Sequence, residues 1–386
     1  MVARLTHSIS LYLTLGFTLL LAACSSSPSH KSGEVTSGGV QRNGSIVSSP
    51  GAGAHPITPP EPSASRLTPG RWRQVPGWGA DDPIPAWGAF RSSCQALANK
   101  AKWRSVCIKA KQVDPLNPVA IRHFFEDNFR PYRAENPNGT TSGTITGYYE
   151  PVLHGSLTRH GRYQTPIYTR PENVSRWRLK RPRARLLASG VLRGHELAWV
   201  DDPIEAAYLQ IQGSGVIQLD NGKSLRVGFS DTNGQPFRSF ARWLINHHQI
   251  TYPQATLPGI RAWAQRHPEQ VETALNANPR YVYFRVLGAQ ETDDTSGPIG
   301  ALGVPLTAQR SIAVDPARIP LGAPVFLSTS HPTTGQPLRR LVMAQDTGSA
   351  IKGSVRADFF WGQGDDAGAL AGSTKQRGQM WVLEPK

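Results

Sequence analysis

The spacing of apolar residues predicts two helices in the central part of the chain. The first begins where Asn117 is followed by Pro118, a capping residue and a proline at the first helical position, and it runs to Phe129. The second covers about residues 237–250. Its apolar residues recur at helical spacing and form one face, made of Phe237, Phe240, Ala241, Leu244 and Ile245. We expect this face to be buried.

Short apolar or alternating runs predict strands, and such runs dominate the chain after Pro279. The predicted strands are 144–149, 215–219, 225–229, 281–287, 311–314, 324–328, 341–344, 357–361 and 380–383. Asn221-Gly222 lies between the second and third of them and favours a type I′ hairpin turn. Many short strands separated by Gly and Pro are typical of a barrel. The pattern therefore predicts a mainly β protein with a few helices, and it contains no internal repeat.

The first residues have the pattern of a secretory signal. A basic residue, Arg4, precedes a mostly apolar run that ends at Ala23, and this run is shorter than the roughly 20 residues that a spanning helix needs. It ends in Leu-Ala-Ala-Cys, which resembles a bacterial lipoprotein cleavage site. We expect residues 1–23 to be removed and Cys24 to carry lipid. Ordinary cleavage near Ala23, with Cys24 incidental, is the alternative.

The segment after the signal is predicted to be a tether. Residues 24–70 are rich in Ser, Pro and Gly and have almost no large apolar side chains, so they form a lipid-anchored flexible linker with a reach on the order of 40 Å. Ser25 stands where an aspartate would suggest retention at the inner membrane. We therefore expect the protein on the outer membrane of a Gram-negative bacterium, facing the periplasm. The residues that follow the linker are enough for one large or two moderate domains.

The charge and the cysteines refine this picture. A net charge of +15 favours polyanions. Export removes nucleic acid as a partner, and the basic residues look scattered, so an anionic cell-wall polymer is the better candidate. In the oxidising periplasm, Cys94 and Cys107 favour a disulfide. Thirteen residues of one helix would place them on different faces, so a bridge requires two segments with a break between them. Two buried free thiols are the alternative.

Three short motifs resemble known functional motifs but lack the residues that such motifs need. Gly362-Gln363-Gly364 with Gly368 lacks the βαβ context of a dinucleotide loop, and a turn is the better interpretation. His247-His248 has no partner motif for a metal, so neither a metal nor another cofactor is predicted. Gly213-Ser214-Gly215 is not the Gly-x-Ser-x-Gly elbow of a serine hydrolase.

The remaining candidates for chemistry are carboxylates. They are Glu150, Asp201, Asp202, Asp315, Asp346 and Asp358. Asp-Pro pairs usually only begin turns, which lowers the priority of Asp202 and Asp315. Asp358 is followed by Phe359, Phe360 and Trp361, whose removal of water would raise the pKa of its carboxyl and make it a general acid. Arg356 lies on the same strand face and would lower that pKa. From the residues alone, the choice between Asp346 and Asp358 stays open.

Seven segments, in the same order along the chain, resemble the membrane-bound lytic murein transglycosylase A family. They are Thr146–Pro151, Leu209–Gly215, Asn278–Phe284, Val304–Thr307, Arg310–Pro316, Ile319–Pro324 and Ala344–Gly348. The resemblance implies a double-psi β-barrel with a second β-domain inserted into it, and a groove between the two that holds a glycan strand. The barrel would combine residues 71–147 and 288–386, with a 3D-type domain in its C-terminal part. The insert would cover residues 148–287.

The same resemblance assigns roles to individual residues. It places the catalytic aspartate at Asp358. Residues with supporting or substrate-binding roles would be Asp346, Thr146, Tyr148, Glu150, Gln212, Ser214 and Lys352.

The implied reaction is cleavage of the MurNAc–GlcNAc β-1,4 bond of peptidoglycan without water. The muramyl C6 hydroxyl attacks its own anomeric carbon and forms a 1,6-anhydro ring, so one carboxyl can act first as acid and then as base. The implied partners are glycan strands and, through the N-terminal lipid, the membrane. We expect a monomer and leave partner proteins of wall synthesis open. The alternatives are a non-catalytic peptidoglycan-binding lipoprotein and a hydrolase with two carboxylates.

Overall fold

The structure, a computed structural model, describes residues 66–288 and 297–386. The predicted signal peptide, the lipid site at Cys24 and most of the predicted linker lie outside these residues. Within the described part of the chain, the helices are all too short or too polar to cross a membrane.

The strands of the described residues form two sheets. In chain order they are β1 (Arg66–Pro69), β2 (Phe129–Glu135), β3 (Gly143–Glu150), β4 (Val152–Ser156), β5 (Thr165–Tyr168), β6 (Glu196–Val200), β7 (Ser214–Leu219), β8 (Ser224–Thr232), β9 (Val282–Val286), β10 (Ser311–Val314), β11 (Pro324–Ser330), β12 (Pro337–Thr347), β13 (Arg356–Gln363) and β14 (Lys375–Pro385).

Helices lie between these strands. They are α1 (Ile84–Leu97), α2 (Ala101–Ala110), α3 (Pro118–Asn128), α4 (Arg176–Leu179), α5 (Arg183–Ala188), α6 (Pro203–Gln212), α7 (Phe240–Asn246), α8 (Leu257–Arg266), α9 (Val271–Asn276) and α10 (Gly364–Ser373).

Six strands of the first sheet close into a barrel. Their order is β14-β11-β12-β10-β13-β3, and β3 pairs back to β14. The β10–β12 and β13–β3 pairs are parallel, and the other pairs in the ring are antiparallel. Closure leaves these strands without an edge, so their relative positions are fixed by hydrogen bonds on both sides. The double-psi barrel fold and the mainly β class are confirmed.

Helices α1 to α3 pack against the barrel through aromatic side chains. Trp87, Phe90, Phe125 and Phe129 are almost completely buried there, and their rings lie 5.2–5.9 Å apart where they meet. Aromatic pairs at this distance contribute beyond the area they bury. This cluster is continuous with the barrel core, so the helices and the barrel share one hydrophobic core.

A disulfide joins α1 to α2. The Cα atoms of Cys94 and Cys107 are 5.4 Å apart. Helix α1 ends at Leu97 and helix α2 begins at Ala101, so a short non-helical link separates the two. The two cysteines therefore belong to different segments, as a bridge at this spacing requires.

The second sheet is an insertion between β3 and β10. Its strand order is β5-β6-β4-β7-β8-β9. Strand β3 ends at Glu150 and β4 begins at Val152, so the chain passes from the barrel to the inserted sheet at Pro151. Helices α6 to α9 form a separate apolar cluster around Leu244 and Trp263. The domain boundaries at residues 147/148 and 287/288 stay a prediction.

The hairpin between β7 and β8 is confirmed, but its turn type is not. Leu219 N–H donates to the Lys223 carbonyl, and Gly222 N–H donates to the Leu219 carbonyl. Gly222 has φ +80°, whereas Asn221 does not have the positive φ that a type I′ turn needs. The loop is therefore three residues long, a type I turn followed by a left-handed glycine.

The helix predictions succeed in part. The first predicted helix is α3, and the Asn117 side chain caps it by accepting hydrogen bonds from the Val119 and Ala120 N–H groups. The second, α7, is shorter than predicted because Ser239 caps it and Phe237 precedes it, 42% exposed. At Gly362–Gly364 strand β13 passes directly into α10 without intervening turn residues, and both glycines have positive φ at this change of direction. The next glycine of the motif, Gly368, instead lies inside α10.

We predict that the disulfide stabilises the packing of α1 against α2. Closing a loop of this length contributes about 3 kcal/mol to the free energy of unfolding. The double variant Cys94→Ala/Cys107→Ala should lose that amount in urea unfolding. Reduced wild-type protein serves as the matched control and should unfold at the same urea concentration as the variant. Equal midpoints for reduced and oxidised wild type would show that the bridge is absent in solution.

Candidate active site

Four neighbouring barrel strands place two carboxylates in one row. Ala313 of β10 pairs with Asp346 of β12 on one side and with Asp358 of β13 on the other, and Asp358 pairs with Thr146 of β3. Side chains that are adjacent across strands point to the same face of a sheet. Adjacent strands lie roughly 4.8 Å apart, so the two aspartates stand on one face with only the methyl group of Ala313 between them.

A small apolar cluster covers this face of the barrel. It consists of Tyr148, Leu306, Ala313, Ile351 and Phe360. The rings of Tyr148 and Phe360 lie 5.2 Å apart. Phe359 and Trp361 point to the opposite face, into the main core. Of the three aromatic residues that follow Asp358, only Phe360 therefore shares its face, and the other neighbours come from other elements: β3, β10, the segment before β10 and the loop before β13.

Burial raises the pKa of the Asp358 carboxyl to about 6. The negative charge of Asp346 acts in the same direction. Thr146 opposes the shift because its hydroxyl donates a hydrogen bond of 2.5 Å to Asp358 Oδ1 and so favours the charged form. Arg356 also opposes it, although its guanidinium donates to the backbone carbonyls of Thr144 and Ala357. Desolvation outweighs the effects of Thr146 and Arg356, so the net shift of the Asp358 pKa is upward.

Asp346 is held in place by the backbone and lies beside a tyrosine. Its Oδ1 accepts a hydrogen bond of 3.0 Å from the Ala301 N–H. Burial raises its pKa, while the Thr347 and Ala301 N–H groups and the Tyr148 hydroxyl oppose that shift. The Tyr148 hydroxyl is buried and makes no hydrogen bond of normal geometry with a described residue, although it is close enough to act on Asp346. Burial raises the pKa of Tyr148 well above its ordinary value.

Glu150 lies at the junction of the barrel and the insert and is completely buried. Its Oε2 accepts a hydrogen bond of 3.0 Å from Gln363 Nε2 of β13, and Arg226 Nη2 of β8 lies 3.4 Å from the same oxygen. The other oxygen, Oε1, has no hydrogen-bond partner among the described residues. Burial raises the pKa of Glu150 to about 7, against the effects of Arg226 and Gln363. This carboxyl thus connects the barrel to the insert, and it is protonated in a large share of molecules at neutral pH.

The other residues singled out from the sequence have contacts elsewhere. Gln212 Oε1 accepts from the Tyr149 N–H at 3.2 Å, which connects the end of α6 to β3. Ser214 begins β7 and pairs with Gly228. Lys352 is exposed, and its Nζ lies 3.9 Å from Asp315 Oδ1. The structure thus brings Thr146, Tyr148, Asp346 and Asp358 together, and direct substrate contacts for Gln212, Ser214 and Lys352 stay predictions.

Two aspartates of lower priority have structural contacts. The Asp202 carboxylate caps α6 by accepting from the Ile204 and Glu205 N–H groups. Asp315 Oδ2 accepts from the Gly353 N–H and thereby holds the loop between β12 and β13 that carries Ile351 over the site. Among the described residues, no three His, Cys, Asp or Glu side chains come together as metal ligands.

Sequence reasoning missed the apolar side of the site. Leu306 lies far from Asp358 along the chain, Ile351 belongs to the loop before β13, and Ala313 gives no chemical signal of its own. Gly147 was also missed. Any Cβ at this residue would lie 2.6 Å from Trp361 Nε1, so only glycine lets that indole lie against β3 and donate to Thr374 Oγ1. The sequence Thr-Gly-Tyr-Tyr could be recognised, but the need for glycine at residue 147 could not, because it arises from the pairing of β3 with β13.

Comparisons with known proteins agree with this architecture. Residues 144–285 match the model of the MltA specific insert domain, and residues 310–384 match that of the 3D domain. The lytic transglycosylase LtgG of Burkholderia pseudomallei is 52% identical, with a TM-score of 0.64 over 86% of this chain and 98% of the other. The membrane-bound lytic murein transglycosylase A of Escherichia coli K12 is 28% identical over 97% of this chain and 95% of its own length. The crystal structure of E. coli MltA with bound chitohexaose is 27% identical, with a TM-score of 0.63 over 78% and 90% of the two chains.

We predict that Glu150 makes the stability of the protein depend on pH. Its folded pKa of about 7 lies above the ordinary value of 4.5, so its favourable contribution is complete below pH 4.5 and is lost as the pH rises to about 7. Relative to wild type, Glu150→Gln should therefore gain about 3 kcal/mol in the free energy of unfolding between pH 4.5 and 7.5. Urea unfolding at both pH values measures this difference.

The matched control for this experiment is Glu172→Gln, which makes the same chemical change at an exposed residue of the insert. Its stability should follow that of wild type at both pH values. If Glu150→Gln also runs parallel to wild type, the Glu150 carboxyl is ionised in the folded protein and our description of it is wrong.

Proposed function

We propose that this chain uses a single carboxylate for proton transfer. It belongs to the membrane-bound lytic murein transglycosylase A family and is an enzyme that acts on peptidoglycan. Its substrate in this proposal is the MurNAc–GlcNAc β-1,4 bond, and its products end in 1,6-anhydromuramic acid. The observation that carries the proposal is the burial of Asp358 in a row with Thr146 and Asp346 on one barrel face.

Asp358 has the properties of a general acid. A pKa of about 6 leaves a substantial protonated fraction near neutral pH, and the ideal pKa of such a group lies near the operating pH. The residue as a whole keeps some exposure to solvent, as a group that must reach a substrate needs. A protein that only bound glycan would have no use for a desolvated carboxyl with a raised pKa, and this favours catalysis over the non-catalytic alternative.

The arrangement of the two aspartates favours one catalytic carboxylate over two. In a two-carboxylate glycosidase of the inverting kind, the acid and the base act from opposite faces of the sugar ring. Asp346 and Asp358 stand side by side on one sheet face, whereas such a pair needs its two carboxyls on opposite sides of the sugar ring. The Asp346 Oδ1 atom already accepts a hydrogen bond from the Ala301 N–H, which suits a group that tunes its neighbour. We assign Asp346 a supporting role.

In the proposed reaction the Asp358 carboxyl first donates one proton and then accepts another. Asp358 donates its proton to the glycosidic oxygen as the bond from that oxygen to the muramyl C1 breaks. The C6 hydroxyl of the same sugar then bonds to C1, and its proton returns to the Asp358 carboxylate. No water is consumed, because the nucleophile is intramolecular.

Two neighbours of Asp358 suit the two halves of this cycle. While Asp358 is charged, the Thr146 hydroxyl stabilises it by donating a hydrogen bond. The negative charge of Asp346 favours return of the proton, since like charges disfavour two ionised carboxylates in one site. Tyr148 and Phe360 exclude water from the same face.

The substrate and location draw on the relatives. The E. coli MltA structure contains chitohexaose, which is a β-1,4-linked amino sugar chain. The curated relative is named membrane-bound and acts on murein by name. For this chain we propose a groove between barrel and insert as the glycan site, lipid on Cys24 as the anchor, and the outer membrane as the location.

We predict that Asp358→Asn retains glycan binding and loses product formation. An amide has the shape of the carboxyl but cannot donate and recover the proton, and loss of a general acid lowers the rate by about 10² to 10⁴-fold. Purified sacculi are digested with wild type and variant, and soluble muropeptides are quantified by mass spectrometry. Sedimentation with the sacculi measures binding, and circular dichroism checks the fold.

Asp366→Asn is the matched control, because it makes the same change at an exposed aspartate of α10. This variant should release anhydromuropeptides at the wild-type rate. Undiminished release by Asp358→Asn would overturn the assignment of the acid. Products with reducing ends from the wild type would show that water attacks and that the hydrolase alternative is correct.

A further inference from the structure

One segment of the insert concentrates positive charge. Residues 173–195 contain seven Lys and Arg residues and no Asp or Glu. The expectation that the basic residues of the chain are scattered is therefore wrong for this segment. The segment forms α4 and α5, which follow strand β5 at one edge of the inserted sheet.

Packing of this segment separates its apolar and charged residues. Leu179, Leu186 and Leu192 are buried against Tyr281 and Tyr283 at strand β9. The buried cation, Arg183, donates a hydrogen bond of 2.7 Å to Gln210 Oε1, and its guanidinium lies 5.2 Å from the centre of the Tyr281 ring. Arg183 therefore has a structural role. Because the leucines and Arg183 point inward, the remaining cations are left at the surface.

We give the name cationic surface to a group of exposed or half-exposed residues of α4, of the first turn of α5 and of the link between them. It consists of Arg176, Trp177, Arg178, Lys180, Arg181 and Arg185. Within the described residues, the charged ends of Arg176, Arg178, Lys180 and Arg185 are in no ion pair, and all four residues are exposed. By contrast, Arg170, which precedes the surface, pairs with Asp231 at 2.9 Å.

The cationic surface also contains an exposed aromatic residue. Trp177 is 68% exposed, and the Arg181 guanidinium lies 5.9 Å from the centre of its ring. An indole in this position presents a large apolar area with one polar N–H. Tryptophan is enriched at membrane–water interfaces for this reason, where its ring lies at the level of the lipid headgroups.

We propose that the cationic surface docks the insert onto an anionic lipid bilayer. Clusters of basic residues are attracted to anionic headgroups. The planar guanidinium group of arginine matches the paired oxygens of a phosphate, and three of the four exposed cations are arginines. Trp177 adds an apolar anchor between them. A second membrane contact would make attachment more stable than an acyl anchor alone.

The density of charge favours lipid over the wall polymer as the ligand. Four exposed cations lie within ten residues of one another, from Arg176 to Arg185. A phospholipid surface presents a phosphate on every headgroup, side by side, and can meet all of them at once. A glycan strand carries its carboxylates on peptides attached to alternate sugars, so it offers fewer negative groups over the same area.

The test measures binding to vesicles in the full chain with Cys24→Ala, made without lipid. Vesicles of phosphatidylcholine alone are compared with vesicles of equal parts phosphatidylcholine and phosphatidylglycerol. The apolar N-terminal segment contributes to binding in both, so the ratio of the two affinities isolates the effect of anionic lipid. The docking variant is R176Q/R178Q/K180Q/R185Q. The matched variant removes the same charge from exposed residues of α1 and α2 and their flanks, and it is R91Q/K100Q/R104Q/K111Q.

We expect the affinity ratio to fall at least about tenfold in the docking variant and less than about twofold in the matched variant. Trp177→Ala should weaken binding to both kinds of vesicle. An equal fall in the two variants would show that only net charge matters and would overturn the proposal. Loss of sacculus binding with vesicle binding unchanged would identify the wall polymer as the ligand instead. Digestion of sacculi by each variant shows that the barrel is folded, and it separates this proposal from the one on Asp358.

Discussion

Burial of the Asp358 carboxyl is the interaction on which the proposed chemistry depends. The carboxyl belongs to a closed ring of strands, so its position is fixed by hydrogen bonds to β10 on one side and β3 on the other. The apolar neighbours that remove water from it come from β3, from the segment before β10, and from the loop before β13. Because the barrel places all of these at once, the raised pKa is a property of the fold.

Burial disfavours the charged form of three carboxyls in and near the site, and this lowers the free energy of unfolding near neutral pH. Asp346, Asp358 and Glu150 all have a pKa that burial raises. Each of them therefore makes the folded state less stable as the pH rises toward neutrality. The shared core of α1 to α3 and the barrel supplies compensating burial of aromatic side chains. Glu150 connects the barrel to the insert through Gln363 and Arg226. The proposed glycan groove depends on a fixed relative position of the barrel and the insert.

Local patterns predicted what local interactions determine. The strands after Pro279, the cap at Asn117 and the β7–β8 hairpin could be identified because each depends on a few adjacent residues. The apolar cover of Asp358 could not be predicted, since it depends on the register of four strands. Adjacency in the sequence suggested Phe359 and Trp361 as neighbours of the acid, yet alternation turns both of them into the core. Only Phe360 was assigned correctly, and Ala313 gave no signal until its two cross-strand partners were known.

The most direct test is the pKa of the Asp358 carboxyl in the folded protein. Carboxyl carbons of ¹³C-labelled aspartate are titrated by NMR, and the signal that disappears in Asp358→Asn identifies the residue. The account predicts a midpoint near 6, with the group still largely protonated at pH 5. A midpoint at or below the ordinary value of 3.8 would mean that the carboxyl is ionised under working conditions, and a mechanism that begins with proton donation from Asp358 would then be wrong.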